Sequence, residues 1–221
     1  MMAKEQMVQQ YRTVEHSGQA DIEEKKSRFI ADVKPAQSAQ QALAFIDEIK
    51  DKYPDATHHV YAYIIGNSRI QRYNDDGEPS GTAGIPVLEV IKKEQVQDLV
   101  VVVTRYFGGT LLGTGGLVRA YAKSAKQGLD AAHIVTMVLS DVVKLEVSYP
   151  LWGKVENEII SMGYQVDTVQ YHELVRATIL IETKKAALFI KKMVSITNNR
   201  VTINKEGSRY YIQNRQQKKI T

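Results

Sequence analysis

The chain has 221 residues, of which 43% are hydrophobic, and it carries a net charge of +4. This length accommodates one large domain or two small ones, with enough hydrophobic residues for folded cores. Cysteine is absent, which excludes disulfides, thiolate catalysis, iron–sulfur clusters and cysteine-based zinc sites.

No segment of the sequence predicts secretion or membrane insertion. The first residues, Met1 to Gln6, lack the apolar core of a signal peptide. The longest apolar run, Leu99 to Val103, is far shorter than the roughly 20 residues that a membrane helix needs. We therefore expect a soluble, cytoplasmic protein with no membrane partner.

Alternation, capping signals and apolar runs predict the elements of the first half of the chain. These are strands over 9–14, 19–33 and 59–65, and helices over 38–53, 82–92 and 116–132. The run Leu99 to Thr104 is apolar on both faces, which predicts a central strand covered on both sides. In the last of these helices, the predicted buried stripe consists of Val118, Tyr121, Ala122, Ala125 and Leu129.

The pattern changes near residue 136. Strands are predicted over 143–149, 164–170, 175–181, 201–204 and 210–213, and helices over 150–162 and 183–195. This β-α-β-β-α-β order is the ferredoxin-like arrangement. We therefore predict two domains, 1–136 and 137–221. The second is basic, because 136–221 contains 13 Lys and Arg against 8 Asp and Glu, and a basic half favours an acidic partner such as RNA.

Eight of the 14 glycines lie between Tyr73 and Arg119. Such clustering favours a surface shaped to receive a ligand. The second glycine group, Gly108 to Gly116, follows a buried strand and precedes a helix. Free backbone N–H groups and the positive end of the helix dipole there suit an anion. The alternative is a tight loop whose glycines only allow close packing.

Basic and aromatic residues surround this loop. Phosphate recognition favours Arg, whose planar fork donates two parallel hydrogen bonds, and aromatic rings stack on bases. The alternative is a solvated helix face beside ordinary core aromatics. The candidate phosphate- or RNA-binding residues are Arg105, Tyr106, Phe107, Gly108, Gly109, Gly113, Gly115, Gly116, Arg119 and Lys123.

An acidic loop precedes these residues and contains Asp75, Asp76, Glu78 and Ser80. Its carboxylates could hold Mg²⁺ or act as an acid–base pair. Alternatively, Asp75 and Asp76 could cap turns and the following helix or pair with Arg105. We favour the last interpretation, which makes the loop a support for the site. We predict no catalytic residue, no metal site and no cofactor.

Two segments carry a specific signature. They read DDGEPSGTAG at 75–84, and VTRYFGG at 103–109 followed by LGTGGLVRAY at 112–121. The chain resembles the IMPACT family and its bacterial YigZ-like branch over roughly residues 15–135. The resemblance implies an α+β fold. The N-terminal domain would resemble domain four of elongation factor G, a ribosomal-protein-like βαβ sandwich, and the ferredoxin-like C-terminal domain would resemble domain five.

The resemblance also implies a role in translation. We predict a non-enzymatic regulator that binds RNA or the ribosome, with a protein partner in translation control as a further possibility. The alternative is a metal-dependent, phosphate-handling or hydrolytic enzyme that uses the glycine-rich loop and the carboxylates of Asp75, Asp76 and Glu78.

Overall fold

The computed structural model describes residues 8–66, 69–164 and 166–213. The fold is α+β, as predicted, with two antiparallel sheets. Tyr11–Thr136 form one compact unit, and the other described residues, those of 8–10 and 137–213, form the second. No helix in the described ranges has the length and apolar composition needed to cross a bilayer.

The first unit is built on a five-stranded sheet with the order β2-β3-β6-β4-β5. The strand β1 (Gln10–Val14) comes first in the chain and is not part of this sheet. The elements that follow it are β2 (Gly18–Glu24), β3 (Ser27–Pro35), α1 (Ala39–Lys52), β4 (His58–Ile65), β5 (Ile70–Asn74), α2 (Gly84–Lys93), β6 (Leu99–Tyr106) and α3 (Thr114–Ala131). The predicted central strand is confirmed, because β6 lies in the middle of the sheet and seven of its eight residues are buried.

The two faces of β6 belong to different cores. Val101 and Val103 pack with residues of α2 and α3, whereas Val100 and Val102 pack with residues of α1. Successive residues of a strand point to opposite faces, so β6 separates two helical layers. The strand therefore places Arg105, two residues after Val103, on the side of α2 and α3.

The predicted strand over 19–33 is wrong as a single element. The structure forms two strands, β2 and β3, joined by a two-residue turn at Lys25 and Lys26. Both lysines have positive φ, 47° and 67°, as the type I′ turn of a tight hairpin requires. The sequence lacks the Asn-Gly pair that normally marks such a turn. The alternating pattern of apolar and polar residues therefore predicted one continuous strand.

The buried stripe of α3 is also rotated from the prediction. Tyr121, Ala125 and Leu129 are buried as predicted, but Val118 is 39% exposed and Leu117 is buried instead. The helix approaches the sheet closely, since a Cβ at Gly128 would lie 2.9 Å from the Cβ of Ala31. Small residues thus lie against the sheet, and the predicted stripe left out Ala120, Ser124 and Gly128, which are buried there.

The second unit has the predicted β-α-β-β-α-β order. It contains β7 (Ile134–Val147), α4 (Tyr149–Ser161), β8 (Val166–Tyr171), β9 (Val175–Glu182), α5 (Ala186–Ile196) and β10 (Thr202–Ile212). Trp152, Val155 and Ile159 of α4 are buried, as predicted. The two strands predicted over 201–204 and 210–213 are one strand, β10, with an irregularity between Lys205 and Ser208.

Candidate functional site

Arg105 lies near the end of β6 in a buried ion pair. Its side chain is 6% exposed, and Nη1 donates to Oε1 of Glu78 at 2.5 Å. The Tyr121 hydroxyl donates to the same oxygen at 2.7 Å. Burial raises the pKa of Tyr121, and the bond to Glu78 raises this pKa further, so the hydroxyl remains a donor. Glu78 therefore neutralises Arg105 inside the protein.

Strand register brings the neighbours of Arg105 together. β3 places Phe29 opposite Arg105, and β4 places His58 opposite it on the other side. The guanidinium carbon lies 5.4 Å from the ring centroid of Phe29 and 5.5 Å from that of Phe107. His58 Nδ1–H donates to the carbonyl of Asp76 at 2.7 Å, because a carbonyl oxygen can only accept.

The glycine-rich loop is fixed against the β2–β3 turn. The amide of Gly108 donates to Ser27 Oγ at 3.2 Å. A Cβ on Gly108 would lie 2.0 Å from the carbonyl carbon and oxygen of Lys26. The loop ends at Gly113, which precedes α3 with a φ of 73°. This loop is therefore closely packed at Gly108 and left-handed where the helix begins.

The N-terminal end of α3 is open. The amides of Thr114, Gly115 and Gly116 have no hydrogen-bond partner among the residues that the structure describes. Arg119 and Lys123 are exposed, and neither forms an ion pair within the described ranges. Lys126 differs, because it pairs with Asp130 at 2.5 Å and with Glu94 at 3.5 Å.

A cavity of about 370 Å³ lies between the loop and β4. Phe107 is 46% exposed and Leu111 is 82% exposed at this cavity. It therefore combines polar groups with apolar walls, as ligand-binding cavities do. The residues that line it are Thr57, His58, Glu78, Pro79, Arg105, Phe107, Leu111, Leu112, Gly113, Thr114 and Leu117.

The three carboxylates of the acidic loop have separate partners. Asp75 accepts hydrogen bonds from the amides of Gly81, Ala83 and Gly84 and so caps the start of α2. Asp76 accepts from the amide of His59 at 2.6 Å, and Glu78 binds Arg105. No group of three His, Asp or Glu within the described ranges could hold a metal ion.

Several candidate residues lie apart from the cavity. Tyr106 follows Arg105 on β6 and so points to the opposite face of the sheet. Ser80 is exposed in the acidic loop, and neither it nor Gly109 lines the cavity.

Lys25 and Lys26 lie at the turn whose backbone Gly108 contacts. Neither is among the candidate residues predicted from the sequence, because the predicted strand over 19–33 ran through them. The signal that could have found them is a pair of basic residues near the middle of an unusually long predicted strand.

Comparisons with known proteins agree on a family. The model of the Impact N-terminal domain matches residues 25–129, and the model described as a domain of unknown function (DUF1949) matches 145–200. The IMPACT family member YvyE of Bacillus subtilis is 42% identical over 208 residues, which cover 94% of this chain and 95% of YvyE.

Two further relatives and one solved structure extend the comparison. YigZ of Escherichia coli is 36% identical over 64% of this chain and 74% of its own length. Protein IMPACT of Xenopus laevis is 37% identical over 42% of this chain and 31% of its own length. A crystal structure described as a hypothetical protein covers 89% of this chain and 97% of its own, with 28% identity and a TM-score of 0.59.

Proposed function

Because this chain belongs to the IMPACT family, we propose that it is a non-enzymatic protein of translation control that binds RNA in the cytoplasm. The binding surface lies around the N-terminal end of α3. One observation carries this proposal. Four exposed cations, Lys25, Lys26, Arg119 and Lys123, form no ion pair within the part of the chain that the structure describes. These four residues are called the cationic rim.

Contacts along α3 support the grouping of these residues on one surface. Tyr121 packs edge-on against Phe29 of β3 with ring centroids 5.1 Å apart, and Gly128 faces Ala31 further along the same strand. The helix thus runs in the same direction as β3, and its N-terminal end is directed towards the edge of the sheet where the β2–β3 turn carries Lys25 and Lys26. Gly108 completes this arrangement through its contact with the Lys26 backbone.

The backbone of the turn supports a binding role. Lys25 and Lys26 occupy left-handed conformations that Asn and Gly adopt at lower cost. Residues held in such conformations cluster at functional sites. We infer that the lysines are present for their charge.

Phosphate groups are the ligand that this surface fits. Lys and Arg contact phosphates without reading sequence, and the free first-turn amides of α3 add donors for an anion. Arg105 has a different part in the proposal. Since Glu78 neutralises it, Arg105 supports the ring of Phe107 rather than reaching a phosphate from the surface.

The chemistry of the acidic loop favours binding over catalysis. A metal-dependent enzyme would need Asp75, Asp76 and Glu78 to converge, yet each of these carboxylates accepts hydrogen bonds from different groups of the protein. These bonds shape the loop and hold Arg105, which is the support that a binding surface requires.

The test measures RNA affinity of the full chain as a function of salt concentration. We expect Arg119→Ala and Lys123→Ala each to weaken binding and to reduce the slope of log affinity against log salt by about one unit. Lys50→Ala is the matched control, because Lys50 is exposed on α1, on the other side of the sheet. Absence of RNA binding, or an equal loss in Lys50→Ala, would overturn the proposal.

A further inference from the structure

We infer that the cavity beside Phe107 binds the base of an unpaired nucleotide, with the attached phosphate at the N-terminal end of α3. The inference rests on the proposed RNA-binding function and adds the form of RNA that is bound. It makes the site selective for single strands or loops over duplex RNA.

The walls of the cavity suit a flat aromatic group. Phe107 is 46% exposed and lies close to the guanidinium of Arg105, which is 5.5 Å from its ring centroid. Leu111 is 82% exposed. A solvated loop gives no structural reason for an apolar side chain at this position. The volume of about 370 Å³ falls within the range of small-ligand sites. A base stacked on Phe107 would cover both exposed side chains.

Polar groups at the cavity favour a base over a purely apolar ligand. The Nε–H group of Arg105 is buried and has no hydrogen-bond partner among the residues that the structure describes. The two hydrogen bonds that Glu78 accepts, from Arg105 and Tyr121, both use one oxygen, Oε1. His58 lines the same cavity, with Nε2 3.8 Å from Oε1 of Glu78. Donors and acceptors of this kind match the mixed edge of a base, whereas an alkyl chain would leave them unsatisfied.

The phosphate has its own donors at the same cavity. Gly113 and Thr114 line it, so the free amides of the first turn of α3 lie at its border. Arg119 extends over this turn, since its Nη1 would lie 3.6 Å from a Cβ built on Gly115. A nucleotide therefore finds an apolar wall for its base and cationic donors for its phosphate within one site.

Duplex RNA cannot use this arrangement. Its bases are stacked on both faces and paired along their edges, so only an unpaired base can enter a cavity. Duplex and single strand both present phosphates to the cationic rim. The cavity should therefore add affinity for the single strand alone.

The experiment compares binding of a short single-stranded RNA and of its duplex to the full chain. We expect the single strand to bind more tightly, and Phe107→Ala to weaken its binding by roughly five- to a hundredfold, the range for loss of one base–aromatic stack. Binding of the duplex should not change. Phe107→Leu keeps an apolar side chain and tests the ring itself. The matched control is Tyr73→Ala, because Tyr73 is a similarly exposed aromatic, at 45%.

A second measurement locates the ligand without RNA. In ¹H–¹⁵N spectra, a nucleoside monophosphate should shift the amide signals of Phe107 and of Gly113 to Gly116, whereas inorganic phosphate should shift only the latter group. Equal affinity for single strand and duplex, unchanged by Phe107→Ala, would overturn the inference while the salt-dependent effect of Arg119→Ala kept the proposed function. Absence of all RNA binding would overturn both.

Discussion

Arg105 shows how one buried charge depends on its partner. Replacing it with Ala would leave Glu78, whose side chain is 3% exposed, as an unpaired buried carboxylate. Breaking a buried pair from one side costs about 3–5 kcal/mol, so we expect the free energy of unfolding of Arg105→Ala to fall by that amount in urea denaturation. Glu78→Gln should cost a similar amount, because it leaves the Arg105 guanidinium, 6% exposed, without a charged partner, although the amide oxygen can still accept from Tyr121.

Arg28 supplies the control for this measurement. It pairs with Asp21, but the two side chains are 57% and 44% exposed, and exposed pairs contribute about 0–1 kcal/mol. If Arg105→Ala were as mild as Arg28→Ala, the buried pair would not stabilise the fold, and Arg105 would be free to act on ligands directly.

Asp141 makes the second unit sensitive to acid. Burial alone would raise its pKa, but bonds from Lys205, Ser208 and Thr183 outweigh burial and lower the pKa below 3.8. A lowered folded-state pKa stabilises the protein above the unfolded-state pKa, and this contribution disappears as pH falls through the folded-state value.

We therefore expect Asp141→Asn to lower the free energy of unfolding at pH 7, and the difference from the unmodified chain to shrink below about pH 4. Urea denaturation at several pH values measures this difference. A difference independent of pH would mean that the lost hydrogen-bond geometry, rather than the charge, accounts for the effect.

At the scale of elements, substitutions in the β2–β3 turn should change stability and RNA affinity in opposite directions. The double variant Lys25→Asn/Lys26→Gly introduces the preferred type I′ pair. It removes two side chains from left-handed positions. We expect its melting temperature to rise while its RNA affinity falls and its salt slope decreases by about two units. Melting and RNA binding are measured on the same preparation. If stability and affinity changed in the same direction, the lysines would have no role distinct from the turn.

Gly→Ala substitutions in the glycine-rich loop and in the first turn of α3 should differ in their effect on stability. Gly108→Ala would place a Cβ 2.0 Å from the Lys26 backbone, whereas the nearest atom to a Cβ on Gly115 is the flexible end of Arg119 at 3.6 Å. We expect Gly108→Ala to lower the melting temperature markedly. Gly115→Ala should be neutral or stabilising by up to about 1 kcal/mol, because Ala is the better helix former. Equal melting of both variants would contradict the close packing at Gly108.

The elements also show what the sequence could reveal. The run Leu99 to Val103 predicted the central strand, because a strand covered on both sides must be apolar throughout. The β2–β3 turn has no such local signal. The pairing of Arg105 with Glu78 joins residues 27 positions apart, so it depends on the folded chain. Local patterns thus predicted most elements and the region of the site, but not which charges remain free.

At the scale of the whole molecule, the question is whether RNA affinity depends on the net charge of the protein or on the positions of its cationic side chains. The second unit carries Lys184, Lys185, Lys191 and Lys192 at and near α5, and it belongs to the more basic half of the chain. Lys184 and Lys185 pair with Glu182, and Lys192 pairs with Glu158. Partners of this kind reduce the charge available to a phosphate.

Two fourfold variants with the same change in net charge test this point. Replacing the four residues of the cationic rim with Gln should lower RNA affinity strongly and reduce the salt slope by roughly three units for a single strand. Replacing the four lysines at and near α5 with Gln should change the slope by less than one unit, because three of them already have carboxylate partners. Equal losses in the two variants would mean that RNA responds to the overall positive charge, and the surface at the N-terminal end of α3 would then have no special role.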